Sequence, residues 1–257
     1  MRESPPADMI MELFSLAGRT AVVTGASSGL GARFATVLAA AGATVYAAAR
    51  RTDRLAKVAA TAARIHPVAC DIGAEADRVR LVETALSGTG RCDILVNNAG
   101  TAGATRAAEE SSTTFADVLA VNLVAPFHLA RLVAEAGSAQ SIVNVASILG
   151  LVSAAPLGGA SYTASKAGLV GLTRELAGQW GGAGVRVNAL APGWFRSEMT
   201  EGLFANAKSS RWVERHTMLR RAGDGGELDG ALLFLASDAS SYCTGQVLVV
   251  DGGWTAR

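Results

Sequence analysis

The chain has 257 residues, half of them hydrophobic and 18% charged, with 23 basic against 22 acidic side chains. A chain of this length buries a substantial core, and 29 glycines against 6 prolines point to tight turns rather than to collagen or disorder. A net charge of +1 leaves no basic surplus to hold a nucleic-acid backbone or an anionic membrane, so any phosphate recognition has to be local.

Residues 1–16 read as a frayed arm, too polar at Arg2, Glu3, Asp8 and Glu12 for an export signal. Residues 17–257 read as the domain proper. The uncharged stretch Phe34 to Ala49 is too short to span a membrane and has Gly42 in its middle. Strands are expected at Thr20 to Val23, Thr44 to Ala48, His66 to Ala69, Ile94 to Val96, Ser141 to Val145, Arg186 to Leu190 and Val247 to Val250. Helices are expected to start near Gly29, Asp53, Ala74, Thr113, Ser161, Met199 and Glu227. This alternation predicts an α/β fold, a Rossmann-like doubly wound parallel sheet of about seven strands with helices on both faces. Residues 202–226 form the longest stretch without a regular pattern and are expected to be a substrate lid. Three widely spaced cysteines, Cys70, Cys92 and Cys243, match neither a disulfide framework nor a metal pair and point to free thiols in a reducing cytoplasm. The three histidines have no ligand spacing, and no metal is expected.

The first strand runs into Thr24-Gly25-Ala26-Ser27-Ser28-Gly29-Leu30-Gly31 and then a helix. Glycines there permit close backbone approach, and the N–H groups and dipole at a helix start attract a pyrophosphate. A ligand-free βα turn would read the same way, and the absence of a GK[ST] ending argues against a P-loop nucleotidase. The second strand ends in Ala49 followed by Arg50 and Arg51, where an NAD-binding fold usually places a carboxylate. An arginine fork there suits a 2′-phosphate, so NADP(H) is favoured and NAD(H) is the alternative. These arginines, with Arg54, could equally be the solvated start of a helix. Asp71, beside Ile72, could bond an adenine amino group or cap the next helix.

Tyr162 and Lys166 stand at i and i+4, on one helix face, and Ser147 ends a strand. Carbonyl reduction needs a proton donor for the forming alkoxide, and alcohol oxidation needs the reverse. A phenol can do both if its ordinary pKa near 10 falls. An ammonium about 4 Å away would contribute about 4 kcal/mol at an effective dielectric of about 20. Ser147 could hold the substrate oxygen or be an ordinary strand-end hydroxyl.

TGASSGLG at Thr24 to Gly31, NNAG at Asn97 to Gly100, Asn122, Ser147, YTASK at Tyr162 to Lys166, PG at Pro192 and Gly193, and the later LASD and VVDGG come in one order. In this the chain resembles the short-chain dehydrogenase/reductase family over nearly its whole length. The resemblance implies an NAD(P)(H)-dependent, ketoreductase-like enzyme interconverting a carbonyl and a secondary alcohol. It implies a catalytic tetrad of Asn122, Ser147, Tyr162 and Lys166, with Tyr162 as acid/base, Lys166 on the nicotinamide ribose, and Asn122 anchoring a water. It also implies cofactor contacts from Gly25, Ser27, Ser28, Gly29, Leu30, Gly31, Asn98, Ala99 and Gly100, with Pro192, Gly193, Phe195 and Ser197 around the nicotinamide. The partner is then a small-molecule carbonyl or alcohol, and a homotetramer or homodimer follows by analogy. Alternatives are a 3-oxoacyl carrier-protein reductase docking on Arg220 and Arg221, an NAD-dependent alcohol dehydrogenase, or a non-catalytic NADP(H)-binding protein.

Ser147 and Tyr162 are fifteen positions apart, more than the family usually has, with Pro156, Gly158 and Gly159 between them. This extension is expected to reshape the pocket wall without moving either anchor. The wall is expected to contain Leu149, Val152, Gly159, Trp194 and Phe195. Phe204, Trp212 and Met218 are lid or packing residues, and Arg196 or His216 could meet an anionic substrate group.

Overall fold

The computed structural model describes residues 7–155 and 157–256. Seven strands form one parallel sheet: β1 (Thr20–Thr24), β2 (Thr44–Ala49), β3 (Ile65–Ala69), β4 (Ile94–Asn97), β5 (Ser141–Val145), β6 (Arg186–Pro192) and β7 (Val247–Val250), in the order β3-β2-β1-β4-β5-β6-β7. All seven expected strands are present, five of them longer by a residue or two and β5 and β7 with the expected bounds. β1 and β5 are buried at every position, as a sheet covered on both faces requires. Side chains alternate across it: Ala21 and Val23 join a core with Phe34, Leu38 and Leu232, while Val22 joins a second with Leu95, Leu129 and Leu176. Pro67 is tolerated because β3 is an edge strand, where a missing ladder donor costs least.

The helices are α1 (Ala7–Glu12), α2 (Gly29–Ala40), α3 (Thr52–Ala59), α4 (Glu75–Thr89), α5 (Ser112–Leu119), α6 (Ala125–Glu135), α7 (Ala160–Trp180), α8 (Glu201–Ala205), α9 (Ala207–His216) and α10 (Asp229–Ala236). Two expectations need correction. The arm is not frayed throughout. Ala7–Glu12 is helical, Leu16 is fully buried, and the Leu16 N–H donates to the Ala41 carbonyl. Met1 to Pro6 lie outside the described residues. The stretch 202–226 is not irregular, since it carries α8, α9 and a short turn at Gly225–Leu228. Asn206 caps α9 by accepting from the N–H groups of Lys208 and Ser209, a start signal present in the sequence.

The helix expected near Thr113 continues to Glu135. It is a 24-residue run, apolar and long enough to cross a membrane, interrupted by a π turn at Ala120–Val124. Val118 and Asn122 are buried along it, and Ala125, Leu129 and Val133 are buried in the core that covers the sheet. β1 connects to its neighbours in opposite directions, β2 on one side and β4 on the other. That divergence opens a crevice at the strands' C-terminal ends, where open α/β sheets bind ligands.

Candidate active site

The glycine loop is fastened to the next strand over. The Thr24 hydroxyl accepts from the Asn98 and Ala99 N–H groups at 3.0 and 3.1 Å, and the Asn98 amide donates to the Thr24 carbonyl at 2.9 Å. Gly25 has φ +67, and a Cβ there would lie 2.7 Å from the Ala99 Cα, so only glycine lets the two turns close together. Ser28 begins α2 without a side-chain bond to the helix, leaving the first-turn N–H groups available for an anion.

These turns open onto a cleft of about 780 Å³. Its walls include Gly25, Ser27, Ser28, Gly29, Leu30 and Gly31 from the loop, and Arg50, Arg51, Asp71 and Ile72 from the ends of β2 and β3. Asn98, Ala99, Gly100, Ser147, Tyr162 and Lys166 line the middle, and Pro192, Gly193, Phe195 and Ser197 the far side. Of the residues expected as catalytic or cofactor-binding, Asn122 alone is outside this wall. A size in the range of small-molecule sites, a steric cradle only glycine permits, and unsatisfied helix-start donors fit a dinucleotide.

Asn122 is fully buried in the π turn and works through bonds rather than exposure. Its carbonyl oxygen accepts from the Thr101 N–H at 2.8 Å, and its amide donates to the Thr101 carbonyl at 2.8 Å and the Ser165 hydroxyl at 3.0 Å. It thus ties the segment after Gly100 to the helix carrying Tyr162. Pro126, four residues on, has no N–H to offer the Asn122 backbone carbonyl. Asn97 and Asn144 extend the tie, linking β4 to β5 at 2.9 Å and β5 to Thr173 of α7 at 3.0 Å. Glu110 holds the start of α7, accepting from the Ser161 N–H at 3.1 Å and from its hydroxyl.

Along α7, Lys166 is buried and its ammonium donates to the Val145 carbonyl at 2.7 Å, 5.7 Å from the Tyr162 ring centroid. Burial lowers its pKa to about 8. Burial also raises the Tyr162 pKa, opposed by the nearby Ser147 hydroxyl. This corrects the expected electrostatics: desolvation dominates at the phenol and holds it above its ordinary value, while the Lys166 ammonium is directed to the Val145 carbonyl. Ser147 accepts from the Leu149 N–H at 3.1 Å, so it caps a turn and also faces the cleft. Ser147 and Tyr162, on either side of the extension, both line the cleft, and Gly150 fits closely against the Lys166 backbone.

Other expectations shift. Arg51, more than Arg50, builds an anion site. It donates to Glu198 at 2.7 and 2.9 Å and to Ser28 at 2.7 Å, while Arg54 reaches Glu198 at 3.1 Å. Asp71 makes a local turn by accepting from the Gly73 N–H at 2.9 Å, and α4 is capped at Ala74 instead. Leu149, Val152, Gly159 and Trp194 do not line the main cleft, whereas Thr101, Val121, Glu198 and Met199 do. Trp194 packs edge-on to Trp212 and Trp254 at 6.2 and 5.5 Å, in a cluster with Leu149 and Phe204 that touches Tyr162. His216 stacks on Trp212 and bonds its carbonyl at 2.7 Å, and Arg196 lies over the Phe204 ring. Met218 is exposed. Among the described residues no group of His, Cys, Asp or Glu could hold a metal ion.

A family model described as enoyl-(acyl carrier protein) reductase matches residues 25–255. The chain is 40% identical over 252 residues to the galactitol 2-dehydrogenase (L-tagatose-forming) of Cereibacter sphaeroides, covering 95% of this chain and 97% of that protein. It superposes on a short-chain type dehydrogenase/reductase from Mycobacterium marinum with TM-score 0.91 and 34% identity, over 96% of this chain and all of the other. It also superposes on a gluconate 5-dehydrogenase from Burkholderia cenocepacia J2315 in complex with NADP and tartrate, with TM-score 0.90 and 31% identity, over 96% and 99% of the two chains. With that cleft and these relatives, the chain belongs to the short-chain dehydrogenase/reductase family, as an oxidoreductase acting on the CH–OH group with NAD(P).

Proposed function

We propose that this enzyme interconverts a secondary alcohol and a ketone with NADP(H) as the preferred cofactor and Tyr162 as acid/base. The observation that carries this reading is the convergence of Ser147, Tyr162 and Lys166 on the cleft that the glycine loop opens. The bound dinucleotide supplies or accepts the hydride at the reacting carbon. In reduction the Ser147 hydroxyl holds the substrate oxygen and the Tyr162 phenol donates the proton that turns the forming alkoxide into an alcohol. In oxidation the phenolate takes that proton back. Lys166, anchored on Val145 and close to Gly100, would hold the nicotinamide ribose and stabilise the phenolate. Asn122 positions α7 against Thr101 through its side-chain amide and, by the family likeness, would anchor a water in the proton relay.

NADP(H) is favoured because β2 ends in Ala49 without a carboxylate while Arg51, Arg54 and Ser28 converge on an anion. The galactitol and gluconate dehydrogenases act on polyols and sugar acids by name. We therefore place the substrate among small secondary alcohols and ketones, with polyols and sugar acids first in a panel and alicyclic ketones second. A carrier-protein substrate is disfavoured, because Arg221 is paired with Glu227 at 2.6 Å and Arg220 bonds the Arg215 carbonyl. Buried Cys70 and Cys92, their thiol pKa values pushed up to about 11 and about 12, are kept unreactive. Exposed Val124 and Phe127 on the long helix support a homo-oligomer. Titrating the protein with NADPH and NADH by thermal shift, then running the panel with the better cofactor, tests the reading. Binding of neither cofactor, or binding without turnover of any alcohol or ketone, contradicts it.

A further inference from the structure

Resting on the proposed NADP(H) preference, we infer that Glu198 is an internal competitor for the 2′-phosphate, occupying the anion site until the cofactor displaces it. The Glu198 carboxylate is an anion of similar reach to a phosphate oxygen pair, and it takes the donors a 2′-phosphate needs: both terminal nitrogens of Arg51, one of Arg54, and the Ser28 hydroxyl. Glu198, Arg51 and Ser28 line the cleft beside the glycine loop and next to Arg50, which carries none of these bonds, and Arg54 joins them through Glu198. A second anion cannot enter that fork while the first remains, since like charges at hydrogen-bond distance repel. Glu198 stays ionised across the physiological range, its pKa drawn down to about 2 by the Arg51, Ser28 and Arg54 bonds.

Glu198 is free to leave. It opens the short turn Glu198–Thr200 that precedes α8, is about half exposed, and its carboxylate has no other hydrogen-bond partner among the described residues. The turn keeps its own shape through the Thr200 hydroxyl, which bonds the Ser197 N–H at 2.9 Å and the Phe195 carbonyl at 2.6 Å. Displacement thus needs a change at one side chain rather than unfolding of the turn. NADH has a neutral 2′-hydroxyl and does not need the fork, so the competition falls on the phosphorylated cofactor alone. A site available for a fraction of the time weakens its ligand by that fraction. Glu198 therefore narrows the margin by which this enzyme favours NADP(H), and it is a specificity-determining residue with no part in proton or hydride transfer.

The test is equilibrium binding of NADPH, NADH, 2′,5′-ADP and 5′-AMP to the wild type, E198Q and R51A, read by calorimetry. If the fork is free about a tenth of the time, E198Q tightens NADPH and 2′,5′-ADP about tenfold and changes NADH and 5′-AMP less than twofold. Unchanged or weaker NADPH binding by E198Q, equal tightening of all four ligands, or loss of NADH affinity alone overturns the competitor role. R51A separates this from the reading beneath it. If R51A weakens NADPH and 2′,5′-ADP but E198Q does not tighten them, only the Glu198 inference fails. If R51A leaves NADPH untouched, the 2′-phosphate does not bind this fork and both fail.

Discussion

Tyr162 and Lys166 share one helix face, yet burial acts on them in opposite directions, raising the phenol's pKa and lowering the ammonium's to about 8. The phenol is thereby kept protonated near neutrality, ready to donate, and becomes a base only as pH rises. The rate of alcohol oxidation should therefore climb through the alkaline range while reduction stays level or falls; kcat/KM measured in both directions from pH 6 to 10 checks this, and a flat oxidation profile counts against a titrating phenol. Tyr162→Phe should cost at least about a hundredfold in kcat with cofactor affinity nearly unchanged, read by stopped-flow turnover beside calorimetric binding. Lys166 also carries a stability signature. Its folded-state pKa is depressed, so between pH 8 and 10.5 the folded chain binds fewer protons here than the unfolded chain does. The cost of burying the charge is present in full below pH 8 and is relieved as pH rises through that window. The melting temperature of the wild type relative to K166M should rise from pH 8 to 10.5, and a constant difference would contradict a buried ammonium.

At the scale of elements, the π turn is where the long helix meets both Pro126 and the site. Five residues there adopt the wider turn, and Asn122 uses it to bond Thr101 and Ser165. Asn122→Ala leaves buried partners on two elements unsatisfied and should cost roughly 2–3 kcal/mol. For a chain of this size that lowers the melting temperature by about 5–10 °C, with kcat falling more than KM rises, since it is α7 that is set adrift. The strands are legible in the sequence because buried parallel strands are short apolar runs, such as Thr20 to Val23, spaced between longer helical segments. The glycine loop was legible for the same local reason. α9 was missed because Ala207 to His216 is rich in polar residues and its stabilising signal, the Asn206 cap, is a single residue. Glu198 was missed because its meaning comes from Arg51, 147 positions away, and no local pattern carries that distance.

Over the whole molecule, the sheet order and the divergence of β1's two neighbours open at one end of the strands the cleft that Ser147, Tyr162, Lys166 and the glycine loop line. Fastening the glycine loop to β4 through Thr24 and Asn98 makes that end part of the core rather than a mobile rim. The opposite requirement applies outside, where the long helix leaves Val124 and Phe127 facing solvent. An assembly of identical copies should cover them. Sedimentation is expected to show a tetramer or dimer, and the V124E/F127E double variant should lower the assembly order; a wild type that sediments as a monomer at micromolar concentration removes this expectation.

Three of the chain's four tryptophans, Trp194, Trp212 and Trp254, lie within about one ring's width of each other in the cluster that touches Tyr162. Trp180, at the end of α7, is the fourth. The protein consequently carries its own optical gauge. Ultraviolet light absorbed by that trio is emitted in the band where a reduced nicotinamide absorbs, so occupancy of the cleft should dim the indole emission and light up the dihydropyridine, with no label attached.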